Sequence, residues 1–222
     1  MTIRHPQYIL AVNTKAIIEG LNLKEGLNAC SLDIFVAAAQ NHLVIRQREQ
    51  LEKDETALQI LPYLPIIKSS PRQPTRFKAY RRGKGVGESR LSGNVSAAFG
   101  GHVDLPDVAH VDGVIDLKQT VMQAAVREVA EELLFDGVAG AEDDLQIVDI
   151  GLILDTSDAV GRVHLGVVLG VMLPENRNCT TVEEELEDMP FLTADELLSS
   201  GLPIESWTRI LLNFFKKMEG EE

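Results

Sequence analysis

Cysteine is scarce, with only Cys30 and Cys179 in 222 residues. Their separation matches no metal-ligand spacing, and two cysteines allow at most one disulfide, not a disulfide framework. No apolar run approaches the eighteen or so residues of a membrane span. The opening Met1-Thr2-Ile3-Arg4-His5-Pro6 is not a basic segment leading into an apolar one. The expected location is the cytoplasm, with no membrane partner. Positive charge is also short: 21 Lys and Arg face 34 Asp and Glu, a net charge of -13. Such an excess disfavours nonspecific binding to nucleic acid or to an anionic surface. An acidic protein that acts on an anionic small molecule needs metal ions or a local basic patch.

Two common catalytic patterns are missing. Gly83-Lys84-Gly85-Val86-Gly87 lacks the Gly-x4-Gly-Lys-Ser/Thr order, and no strand-to-helix context follows, so a hairpin loop is expected instead of a phosphate loop. His102 and His164 pair with no nucleophile. His164, among Val163, Leu165, Gly166 and Val167, reads as a packed or hydrogen-bonded strand histidine.

What remains is a soluble globular composition, 45% hydrophobic and 25% charged, able to bury a core as one large domain or one domain plus an extension. Tyr8–Val12 predicts a strand, residues 14–20 a helical turn and 22–29 a loop. Leu32–Ala39 is a buried helix or strand. Gln59–Ile67 predicts one strand, placed at an edge or made irregular by Pro62 and Pro65. Arg76–Arg81 and Asn94–Phe99 predict a hairpin with a long loop. Residues 105–116 predict a loop, and 145–154 and 161–173 two strands. Thr193 and Glu196 have capping-box spacing ahead of a helix. Trp207, Ile210, Leu211, Phe214 and Phe215 recur at helical spacing, as core or as a homodimer contact.

The centre of the chain is Arg127-Glu128-Val129-Ala130-Glu131-Glu132-Leu133-Leu134-Phe135. On a helix Glu128, Glu131 and Glu132 stand at i, i+3 and i+4, and their carboxylates share a face. Val126, Val129 and Leu133, with Met122, point to a core. Asp116 and Gln119 have N-cap to N3 spacing, so the helix is predicted from about Asp116 to Phe135. Three carboxylates on adjacent turns repel. A hard divalent ion such as Mg²⁺ or Mn²⁺ would offset that through oxygen ligands. A solvated acidic face is the plainer alternative.

The order Arg-Glu-apolar-x-Glu-Glu resembles the centre of the Nudix box, which runs Gly, five residues, Glu, seven residues, then Arg-Glu-apolar-x-Glu-Glu-x-Gly-apolar. The early Glu position falls on Gln119 and the late Gly position on Leu134, two departures. The early Gly position falls on Gly113. A better candidate is Gly100-Gly101, which follows the apolar Ala97-Ala98-Phe99 as the strand-to-glycine step does in Nudix proteins.

The resemblance implies an α/β/α sandwich with a mixed sheet over residues 59–222, carrying an N-terminal extension, 1–58, packed on the core. It implies a metal-dependent hydrolase that cleaves a diphosphate bond in a nucleoside diphosphate linked to another group. Glu128, Glu131, Glu132 and the Gly100 carbonyl would hold Mg²⁺ or Mn²⁺, with Arg127 orienting a carboxylate. A further acid from the 180–188 loop, with Glu187 favoured, would complete the metal shell or act as base. Seven basic residues between Arg72 and Arg90 are an edge-strand defence or a basic wall beside the diphosphate, Arg81 and Arg90 being the choices within it. The alternative function is a noncatalytic Nudix-like module that binds a nucleotide.

Overall fold

The computed structural model of the protein describes residues 6–71, 73–83, 93–138, 145–183 and 186–220. The chain begins β1 (Tyr8–Asn13), α1 (Thr14–Leu21), β2 (Gly26–Asn28), α2 (Leu32–Ala39), β3 (Leu43–Gln47), α3 (Arg48–Leu51) and β4 (Ala57–Tyr63). It continues β5 (Ile66–Ser70), β6 (Gln73–Arg82), β7 (Val95–Ser96), β8 (His110–Val111), β9 (Val114–Ile115), α4 (Leu117–Glu132) and β10 (Leu133–Phe135). It ends β11 (Gln146–Leu154), β12 (His164–Met172), β13 (Cys179–Thr181), β14 (Leu186–Thr193), α5 (Ala194–Ser199) and α6 (Ser206–Gly220). Among the described residues no helix is long and apolar enough to cross a membrane.

Two compact units divide the contacts, one of residues 1–62, 101–125 and 149–168, the other of 63–100, 126–148 and 169–222. In the first, β1 lies antiparallel between β3 and β4, with Ala11 opposite both Val44 and Gln59. β2 pairs antiparallel with β11, Ile153 opposite Leu27. Capping decides the ambiguous segment: Ser31 accepts a hydrogen bond from the Ile34 N–H at 3.3 Å. Leu32, Phe35 and Ala39 then fall on one buried face, and the segment is a helix. β4 has β1 and β12 as neighbours and is no edge strand. Pro62 is tolerated because pairing to β1 stops at Gln59. The chain breaks after Tyr63 and resumes as β5, so one expected strand is two. The expected loop at 105–116 holds a small hairpin, β8 to β9, turned by Asp112 and Gly113 with φ of 51° and 79°.

In the second unit β6 is central. It pairs antiparallel with β5, β7 and β14, while β5 runs parallel to β12. The stripe on α6 is core: Leu211 is fully buried, Trp207 stands edge-on to Tyr63 and Phe215 edge-on to Phe77. Thr208 is the polar joint beneath it. Its Oγ1 lies 2.8 Å from the Tyr63 hydroxyl and 3.3 Å from that of Ser96, and accepts from the Ala97 N–H at 3.2 Å. Replacing it strands buried polar groups. Thr208→Val should therefore destabilise by about 1–3 kcal/mol, read by urea unfolding.

Candidate active site

Helix α4 starts as its sequence requires, with Asp116 Oδ1 accepting the Gln119 N–H at 3.0 Å. Gln119 thus has a position at the helix start that needs no charge. Leu117, Val121, Ala124, Ala125 and Val129 are buried along one face, whereas Val126, expected there too, is 44% exposed. Glu128 continues the buried stripe at the i+4 position from Ala124, and only 8% of it is exposed. Glu132 follows one turn later on the same line, and Glu131 turns outward to solvent. Arg127 joins two of the three carboxylates: its Nη1 donates to Glu128 Oε1 at 2.7 Å and to Glu131 Oε2 at 2.9 Å.

The helix stops at Glu132, three residues short of the expected end. Leu133–Phe135 instead pairs antiparallel with Cys179–Thr181, Leu134 opposite Thr180. Leu133 and Phe135 alternate inward and are buried, and that burial outweighs another helical turn. Leu134, where the box has glycine, is a strand residue. The ladder draws the acidic loop onto the helix end: the Val182 N–H donates to the Glu132 carbonyl at 3.0 Å. Glu183 follows directly, and its charge acts on Glu132.

Glu132 is the most perturbed member. Burial pushes its carboxyl up to about 8, the charges of Glu128 and Glu183 push the same way, and Arg82 and the Gly100 N–H oppose them. Its Oε2 is enclosed with no hydrogen-bond partner among the described residues. A buried, unpartnered carboxylate oxygen beside two further carboxylates fits a divalent cation, and the all-oxygen donor set selects a hard one.

Of the other expected residues, Gly100 stands at the centre with a φ of 133°, its N–H turned to Glu132. Gly113 is instead the turn glycine of β8 and β9. Arg81 donates to the Gly93 carbonyl at 3.0 Å. The cation whose charge reaches Glu132 is its neighbour Arg82, held by Glu205 at 2.6 Å and by the Tyr80 hydroxyl at 3.1 Å. Arg90 lies outside the described residues. Glu187 sits exposed on β14 opposite Arg81. Sequence reasoning placed Arg82 in the basic stretch and Glu183 in the acidic loop but singled out neither. The two-residue strand period, which sets Arg82 on the Tyr80 face, was a signal for the first. Nothing local marked the second.

No protein-family model matches the sequence. Protein YmaB of Bacillus subtilis (strain 168) is 27% identical over 172 residues, 77% of each chain. The solved structure of Tm1382, provisionally assigned as a Nudix hydrolase, superposes with a TM-score of 0.71 at 23% identity, over 95% of this chain and 99% of that one. The fold is that of the Nudix hydrolases. A Nudix hydrolase from Alicyclobacillus acidocaldarius matches 71% of this chain and 90% of that one at 17% identity, with a TM-score of 0.49, a likeness too distant to inform the site. The Nudix fold here is a mixed α/β architecture on a curled mixed sheet.

Burial of Glu132, with the repulsion around it, has a measurable sign. A carboxyl raised from 4.5 to about 8 in the folded chain costs stability as pH rises through that interval. In chelator, Glu132→Gln should therefore melt higher than the parent at pH 8, with the gap closing toward pH 5. Thermal melts read the difference.

Proposed function

We propose that the protein is a metal-dependent hydrolase that cleaves a diphosphate bond in a nucleoside diphosphate linked to another group. The observation that carries this is the enclosed, unpartnered carboxylate oxygen of Glu132 with the charges of Glu128 and Glu183 acting on it, Arg127 joining Glu128 to Glu131 alongside. The ligands in this reading are Glu128, Glu131, Glu132 and the Gly100 carbonyl. Bound Mg²⁺ or Mn²⁺ supplies charge neutralisation of the diphosphate and a water of lowered pKa.

The chain's own residues divide the remaining work. Arg127 positions Glu128 and Glu131. Glu131, the solvent-facing member, is where an approaching water or phosphate first meets the cluster. Glu183 is the favoured downstream acid, to complete the donor set or accept the proton of the attacking water, because its charge acts on Glu132 while Glu187 stands opposite Arg81. Arg82 offers positive charge for a diphosphate oxygen, with Arg81 and Arg90 as further contacts. Residues 1–58 are an N-terminal extension of the domain at 59–222, and the protein works in the cytoplasm on a small nucleotide-like molecule.

A noncatalytic nucleotide-binding module is favoured by one observation, that Leu134 has converted the end of the box into strand. A phosphate-release screen over nucleoside diphosphate derivatives, with Mg²⁺, Mn²⁺ or chelator, separates the two. Turnover should require the metal and fall roughly a hundredfold or more in Glu131→Gln, with an unchanged circular dichroism spectrum. Melting shifts by nucleotides without turnover of any compound would establish the module instead.

A further inference from the structure

A second group of donors lies apart in sequence from the acidic helix and takes no part in the chemistry above. Glu52 follows α3, His102 follows the glycine pair and His164 opens β12. One carboxylate oxygen of Glu52 lies within 4.8 Å of a ring nitrogen of each histidine. The two histidines meet through Nε2, 3.3 Å apart.

That distance is informative. Two nitrogens bound to one tetrahedral ion at about 2.0–2.1 Å stand about 3.3 Å from each other. The His164 tautomer also suits a ligand: Nδ1 lies 2.7 Å from the Val160 carbonyl, so Nδ1 carries the proton and Nε2 presents its lone pair. Backbone fastening of the far ring nitrogen is how ligating histidines are oriented. Arg48 Nε donates to Glu52 Oε1 at 3.2 Å and orients the carboxylate.

His102 Nε2 also lies 2.9 Å from Gln59 Oε1. One N–H cannot point well at both Gln59 Oε1 and His164 Nε2. Gln59 is fully buried, and its Nε2 has no hydrogen-bond partner among the described residues. Turning the amide over would strand its oxygen instead. A cation between the rings accepts the lone pairs of both histidines and the Glu52 carboxylate together.

We propose that Glu52, His102 and His164 form a binding site for a borderline transition-metal ion of the Zn²⁺ class, with Gln59 beside it. Two imidazoles and one carboxylate suit such an ion better than the hard cation of the acidic helix. The site joins three segments distant in sequence, and it stands independently of the hydrolase reading.

Titration of the full chain with Co²⁺ in excess Mg²⁺ tests this without any turnover. The expected result is a visible ligand-field band of a low-coordinate Co²⁺ saturating at one ion per chain, displaced by Zn²⁺ and retained in Glu131→Gln. His102→Gln and His164→Gln should abolish the band. Glu52→Gln alters a more exposed position and spares the buried rings should those variants fail to fold. It should weaken Co²⁺ affinity roughly tenfold or more. No band in the parent, a band that survives folded His102→Gln and His164→Gln, an unchanged affinity in Glu52→Gln, or a band lost in Glu131→Gln would each overturn the site.

Discussion

Carboxylates that repel one another inside a half-buried helix end are the constraint on which the second unit depends. Glu128 and Glu132 prolong the stripe that Val121, Ala124 and Ala125 bury, so like charges are carried inward by the helical period. Glu183 arrives from another segment and adds a third charge. Such a cluster survives only where positive groups face it. Arg127 from the same helix, Arg82 from β6 and the Gly100 N–H supply that field. The balance is incomplete, as the raised carboxyl of Glu132 and its unpartnered oxygen record.

The surroundings hold the counter-charges still. Arg82 is fixed by Glu205 and the Tyr80 hydroxyl, and Tyr80 packs on Phe99 next to Gly100. Glu205 in turn receives its place from the backbone bond of its N–H to the Val95 carbonyl at 3.1 Å. The Thr208 joint lies one turn into α6 from there and ties Tyr63, Ser96 and Ala97 to the helix. Packing in this unit therefore orients the residues around the acidic helix end as well as stabilising the sheet.

Two donor sets of different hardness follow from two kinds of local structure. The helix presents carboxylates at i, i+3 and i+4, an oxygen-only set suited to a hard cation that keeps waters and meets phosphate. Glu52, His102 and His164 come from a helix end, a loop and a strand start, a mixed nitrogen and oxygen set suited to a borderline ion. The oxygen-only set contains a buried acceptor for which the described protein atoms offer no partner, Glu132 Oε2.

The helix, its cap at Asp116, its acidic face and the hairpin of β6 and β7 were legible in the sequence, because each depends on spacing within a few residues. The turn role of Gly113 was not, since it depends on the pairing of β8 with β9. Other features were settled only by tertiary contacts. α4 ends at Glu132 because Leu133 and Phe135 gain more by burial on a strand paired with Cys179–Thr181, and a partner some 45 residues away leaves no periodic trace near Leu134. The same ladder brings Glu183 to Glu132, a choice among five acidic residues of one loop that composition could not make. The meeting of His102 with His164 is of the same kind: each reads alone as an ordinary buried or loop histidine, and only the fold sets their ring nitrogens 3.3 Å apart. Local spacing determined which side chains share a helix face, and long-range pairing decided which distant groups meet, because side-chain convergence depends on backbone segments whose separation the local pattern does not encode.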